Sequence, residues 1–184
     1  MIETERLNLR IAGAHDIPDI LQFYQANRAH LAPWDPVTPP GFYTADYWQE
    51  KVAQAQAEYQ QKQSLRLLLR LMDAQTLIGM VHVTQIERGP FQNCRVGYKL
   101  AQTHQGSGYM FEALQSVIRY VFQTLHLHRI EANYIPSNAR SGKLLERLGF
   151  TKHGIAPQYL HIAGKWQDHM LTSLLNPGLD AIQD

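Results

Sequence analysis

Gln105-Gly106-Ser107-Gly108-Tyr109-Met110-Phe111-Glu112 joins a predicted strand to a predicted helix. In the helix, Met110, Leu114, Val117, Ile118, Val121, Phe122 and Leu125 trace one continuous apolar face. Two glycines and a serine ahead of a helix start let backbone N–H groups point outward with no Cβ in the way, and the helix N-terminus adds about half a positive charge. Such a turn suits a diphosphate without needing a lysine. It is not a Walker loop, because no Gly-Lys-Ser/Thr follows, and not a dinucleotide fingerprint, because Phe111 stands three residues after Gly108. On its own the turn equally fits a plain strand-to-helix connection that carries no ligand.

A second element follows in Tyr134-Ile135-Pro136-Ser137-Asn138-Ala139-Arg140-Ser141, which leads into Leu144-Leu145-Glu146-Arg147-Leu148-Gly149-Phe150. Pro136 ends a strand, Asn138 and Ser141 open a helix on neighbouring turns, and Gly149 closes it as a left-handed cap. Asn138 could serve as a helix cap and nothing more, but its order and separation from the Gly-rich turn favour a shared ligand.

Outward from these elements, the pattern is that of an α+β chain. Residues 6–11 alternate polar and apolar like a half-buried strand, and Asp16 precedes Pro18 at the start of a helix carrying Ile17, Ile20, Leu21 and Tyr24. Pro33, Pro36, Pro39 and Pro40 enforce a loop that holds Trp34 and Asp35, and Thr44 caps a Gln-rich helix with Tyr47, Trp48, Val52, Ala55 and Tyr59 on one face. Strands are predicted at 65–72, 77–86 and 94–100, with connections too short for crossover helices and hence an antiparallel meander. The remainder reads helix 107–125, strand 128–135, helix 138–148, and strands at about 150–163 and 167–175. With no repeat, linker or low-complexity tail, residues 1–184 are expected to form a single domain.

Composition excludes several classes. Of the 184 residues, 45% are hydrophobic and 18% charged, so the chain is neither disordered nor a polyelectrolyte. The net charge of +1 gives no field for nucleic acid or an acidic membrane, so no sequence-specific nucleic-acid binding is expected. The single cysteine, Cys94, excludes an internal disulfide and suits a reducing compartment. Glu3, Glu5, Arg6 and Arg10 break up any signal-peptide core, and no stretch reaches the length of a membrane span; a cytoplasmic protein is expected. His126 and His128 could share a strand face but lack a third ligand at recognisable spacing, so no metal is expected.

The Gln105-Gly106-Ser107-Gly108-Tyr109-Met110 turn together with Asn138, Ser141 and Leu148-Gly149-Phe150 resembles the GCN5-related N-acetyltransferase superfamily, with Met110 where the signature usually has Gly or Ala. Glu5-Arg6-Leu7, His30-Leu31-Ala32-Pro33-Trp34, Gly97-Tyr98-Lys99-Leu100, Tyr109-Met110-Phe111-Glu112-Ala113-Leu114, Ile118-Arg119-Tyr120, His128-Arg129-Ile130 and Gly164-Lys165-Trp166-Gln167-Asp168-His169 extend the likeness to the ribosomal-protein-alanine acetyltransferases of the RimJ type. The resemblance implies a mostly antiparallel mixed sheet with flanking helices, splayed between the 95–100 and 128–135 strands to admit acetyl-CoA. It implies transfer of acetyl to the N-terminal α-amino group of a small-subunit ribosomal protein beginning with alanine, possibly on the ribosome. Tyr98, Lys99 and Leu100 would meet the cofactor largely through backbone atoms, Gln105 to Met110 its phosphates and Asn138 its pantetheine amide; Arg140 and Lys143 could also meet a phosphate.

The superfamily's usual acid, a tyrosine four residues before Gly149, is replaced by Leu145, so Ser141 is the remaining donor for the departing thiolate. Trp34 is expected to touch the acceptor and Asp168 to pair with the incoming amine. Glu87 is another candidate base, and Trp166 another candidate for the acceptor groove; Trp48 reads as core packing. The alternatives are a small-molecule amine acetyltransferase of the same superfamily and a CoA-binding ribosome-assembly module that does not transfer.

Overall fold

The computed structural model describes residues 1–178. It contains β1 (Ile2–Glu3), β2 (Leu7–Ile11), α1 (Ile17–Ala26), α2 (Arg28–Leu31), α3 (Ala45–Gln60), β3 (Leu65–Leu71), β4 (Leu77–Glu87), β5 (Asn93–Leu100), α4 (Tyr109–Gln123), β6 (Arg129–Glu131), α5 (Ala139–Arg147), β7 (Thr151–Ile162) and β8 (Lys165–Leu175). The strands form one eight-stranded sheet in the order β1-β2-β3-β4-β5-β6-β8-β7. Among the described residues only β5 and β6 run parallel, and every other neighbouring pair is antiparallel. This is the mixed, mostly antiparallel sheet with flanking helices that the family resemblance implies.

Strand alternation sends side chains to two cores. Leu7, Leu9, Leu67, Leu69, Val81, Val83, Cys94 and Val96 join the buried faces of α4 and α5 on one side. Leu68, Leu77 and Met80 pack under α1 and α3 on the other. A buried ion network fastens α1 to the sheet. Asp16 is fully buried, takes two hydrogen bonds from Arg10 at 2.6 and 2.7 Å, and takes a third from Arg70 at 2.6 Å. Arg70 also reaches Asp19 at 2.7 Å. Burial by itself would raise the Asp16 carboxyl, but Arg10, the Gly13 N–H and Arg70 outweigh it and hold the pKa at about 2.

Several element ends differ from expectation. The helix predicted to start at 107 starts at Tyr109, because Gly106 and Gly108 adopt φ of +83° and +81°, outside the right-handed helical region. The strand predicted over 128–135 contracts to Arg129–Glu131, with one further bridge between Tyr134 and Met170. The short β1 was not anticipated, since two residues carry no periodicity. Gly149 closes α5 at φ +88°, as its cap position predicts.

The contraction of β6 opens the sheet. β5 and β6 pair only from Asn93–Arg129 to Arg95–Glu131. β5 then continues along β4 as far as Leu100 opposite Gly79, while the chain beyond β6 turns to β8. Residues 96–100 are therefore left with one unpaired edge, facing a wedge.

Candidate active site

The Gly-rich turn stands at one end of that wedge. None of the backbone N–H groups of residues 106 to 111 finds an acceptor among the described residues; the first that does is Glu112, on the Gly108 carbonyl at 3.1 Å. The N-terminal segment holds the turn from outside. Arg6 donates to the Ser107 carbonyl at 2.9 Å and to Glu112 at 2.7 Å, and its guanidinium lies over the Tyr109 ring. Burial works against the Glu112 carboxylate, but bonds from Thr4 and Arg6 lower its pKa overall. Gln105 bridges His30 of α2 at 2.9 Å and Arg140 of α5, so the turn is braced on three sides. The Met110 side chain is buried in the core beneath α4, leaving its backbone alone to face a ligand. Lys143 is exposed on the second turn of α5.

The unpaired edge of β5 follows from its register with β4. Ala101 N–H bonds to the Ile78 carbonyl at 2.8 Å, so in this antiparallel ladder the Met80–Lys99 and His82–Gly97 pairs exchange hydrogen bonds too. Beyond the last β5–β6 pair, the alternate residues Tyr98 and Leu100 turn their N–H and C=O away from β4, into the wedge. Lys99 does not: its carbonyl points at Gly79, and its ammonium, over the Tyr24 ring, bonds to Asp35 at 2.6 Å. Of the three expected cofactor contacts on β5, Tyr98 and Leu100 thus offer backbone donors and Lys99 faces away. Its side chain serves instead to anchor the proline-rich loop.

Tyr98 and Ser141 meet across the wedge, their oxygens 2.6 Å apart. Asn138 Oδ1 accepts the Ser141 N–H at 3.2 Å, fixing the first turn of α5. Gly142 allows the Tyr134 ring to lie against the helix, where a Cβ would stand 2.9 Å from it. Burial pushes the Tyr98 phenol up to about 12, against the lowering effect of Ser141, so it stays neutral at physiological pH. Leu145 is buried in the core and offers no donor. The Tyr98–Ser141 pair was not foreseen, because nothing in local sequence links positions 43 apart.

The acceptor-side expectations separate. Trp34 is partly buried at the start of the 32–44 loop, which Asp35 ties both to Lys99 and, through its carbonyl, to the Ala163 N–H at 3.0 Å on the β7–β8 turn. Asp168 accepts the Gln158 N–H at 2.9 Å across the hairpin, so its carboxylate is engaged in holding a β7 irregularity. Glu87 lies at the far end of β4, opposite Asn93 and away from the wedge. Trp48 stacks on Tyr24 and donates to the Phe42 carbonyl, in a packing role, while Trp166 is largely exposed beside His161. Among the described residues, no group of three or more His, Cys, Asp or Glu is placed to hold a metal ion.

Residues 6–151 match the family described as the acetyltransferase (GNAT) domain. The chain is 40% identical over 176 residues to the [ribosomal protein uS5]-alanine N-acetyltransferase of Escherichia coli (strain K12), covering 96% of this chain and 91% of that protein. Its structure is similar to that of ribosomal-protein-S5-alanine acetyltransferase from Vibrio fischeri, with a TM-score of 0.91 and 36% identity over 97% of this chain and 98% of that one. It is also similar to Mycobacterium smegmatis RimJ in complex with CoA-disulfide, with a TM-score of 0.88 and 26% identity over 95% of this chain and 84% of that one. With the family model matched over most of its length and these relatives aligned over nearly all of it, the chain belongs to the GNAT acetyltransferase family.

Proposed function

We propose that this protein, acting as a single catalytic domain, transfers the acetyl group of acetyl-CoA to the α-amino group of the N-terminal alanine of ribosomal protein uS5, by direct attack in a ternary complex. The observation that carries this is the wedge itself: two outward N–H groups of β5 and the Tyr98–Ser141 pair line one gap, next to six unpaired amides suited to a diphosphate. The 40% identity with the Escherichia coli enzyme supports the choice of acceptor.

Each residue then has a task. The amides of Gly106, Ser107, Gly108, Tyr109 and Met110, with Gln105 and Arg140 alongside, hold the phosphates, and Asn138 orients the first turn of α5 against the pantetheine. The Tyr98 and Leu100 N–H groups meet the oxygen that gains charge as the amine attacks. The Ser141 hydroxyl donates to the departing sulfur, and Tyr98, by donating to Ser141 Oγ, frees that hydroxyl to do so. A weak base suffices: an α-amine has a pKa of ~7.7–8.0, so roughly a tenth is neutral at pH 7, whereas a lysine acceptor at ~10.4 would cost about 3 kcal/mol more to deprotonate. Trp34 borders the acceptor's approach on the anchored loop. The polyamine alternative loses support, because Asp35 and Glu131, the carboxylates flanking the wedge, are already engaged by Lys99 and by Arg95 and Arg129.

The cytoplasm is the matching compartment. No helix among the described residues is long and apolar enough to cross a membrane, and Cys94 is a buried thiol that burial pushes up to about 12. Mass spectrometry of ribosomal-protein N-termini from cells with and without this protein tests the proposal. The expected result is loss of one acetyl group from uS5 alone; an unchanged uS5 N-terminus would overturn the choice of acceptor.

A further inference from the structure

Gly97 sits in the middle of β5, where a glycine costs roughly 0.5–1 kcal/mol relative to alanine. Neither usual reason for one applies. Its φ is not in the left-handed region, and a Cβ built on it would find nothing within 4 Å. The residue is exposed although its strand is internal to the sheet.

Strand alternation places this bare spot. Tyr98 points to Ser141 and α5, so Gly97 and Lys99 point to the opposite face, the side of α1 and the 32–44 loop. The two long side chains flanking Gly97 on that face are both drawn aside. Arg95 leans to Glu131 at 3.5 Å, and Lys99 leans to Asp35 at 2.6 Å. Across the ladder Gly97 faces His82, whose ring makes no hydrogen bond among the described residues and stays neutral, burial and then Lys99 and Arg66 lowering its pKa to about 3. The surface is thus a strip of β5 left bare between Arg95 and Lys99, bordered by the His82 ring and ending at the gap where β5 parts from β6.

We infer that Gly97 is a specificity-determining position: the bare strip above it seats the main chain of the acceptor's first residues while their α-amine enters the β5–β6 gap from the face opposite Ser141. This rests on the acetyltransferase reading above and adds to it the route and shape of the acceptor. A polypeptide N-terminus can lie within van der Waals distance of the strand only where no Cβ stands up from it.

The test uses the full chain with Gly97→Ala, Gly97→Val and Gly97→Leu, assayed with acetyl-CoA and either a uS5 N-terminal peptide or alaninamide. Melting temperatures are expected to hold or rise, because β-branched residues suit an open strand position. CoA affinity by calorimetry is expected to be unchanged. The peptide kcat/KM is expected to fall with side-chain size, by about tenfold or more at Val and Leu and mainly through KM, with a smaller fall for alaninamide. Wild-type peptide kinetics in Gly97→Val would overturn the inference, as would equal losses for peptide and alaninamide, or a loss of CoA affinity. If wild-type protein acetylates no polypeptide N-terminus, the parent reading fails instead, and the wild-type assay reveals this before any variant is compared.

Discussion

In the proposed mechanism Ser141 and Tyr98 act as a unit, since each hydroxyl has the other as its hydrogen-bond partner at 2.6 Å. Ser141→Ala is expected to lower kcat by about 10²-fold or more while leaving CoA affinity intact, because it removes the donor to the departing sulfur. Tyr98→Phe removes one hydrogen bond of about 1–1.5 kcal/mol and is expected to cost roughly tenfold in kcat. In a Ser141→Ala background the same change is expected to cost little more; additive losses in steady-state kinetics would show that the two act separately. With the Tyr98 phenol near 12, its ionisation removes no activity below about pH 10, and the rate is expected to rise with pH through the acceptor amine's own pKa of ~7.7–8.0. Spacing after Asn138 placed Ser141 at the helix start, and its role as donor was expected only through the family resemblance, Leu145 standing where the usual tyrosine would be. Tyr98 was legible only as a backbone contact, because its side-chain partner comes from a different element.

Between elements, the Asp16 network fastens β2, β3 and α1 together. Asp16→Asn removes one charge from a buried cluster that keeps Arg10 and Arg70, and is expected to lower stability by about 3–5 kcal/mol, read from urea unfolding. The pH dependence follows from the direction of the shift. The folded carboxyl at about 2 lies below its ordinary 3.8, so the network's contribution is complete above pH 4 and is lost as pH falls toward 2. Gly108 is the corresponding weak point of the ligand turn. At φ +81°, with the Arg6 guanidinium 3.4 Å from where a Cβ would stand, Gly108→Ala is expected to cost about 1–2 kcal/mol and to weaken CoA binding in calorimetry. The apolar spacing of α4 made that helix legible and Gly149 marked the end of α5, whereas the start of α4 was misplaced because two left-handed glycines delay it.

Across the molecule, function depends on a sheet that is continuous on one side of β5 and open on the other. The Gly-rich turn, the Asn138 cap, the meander of β3 to β5 and the absence of an acid at Leu145 are all written in short stretches, since each depends on the conformational preferences of neighbouring residues. The splay was expected only by likeness to a family, and its limits could not be read from residues 128–135, where polar and apolar residues alternate from Arg129 to Tyr134 as in an uninterrupted strand. Where β6 stops is decided by competition for partners: Tyr134 bonds to Met170 of β8 and not to β5. The Lys99 backbone faces β4 while its side chain anchors the proline-rich loop, since ladder register, and not residue type, dictates which backbone groups face a gap. Local sequence therefore determined the elements and the Gly-rich turn, through torsional preference and apolar period. Tertiary structure alone decided the Tyr98–Ser141 pair, the free edge of β5 and the bare strip at Gly97, because those arise from contacts between segments that only packing brings together.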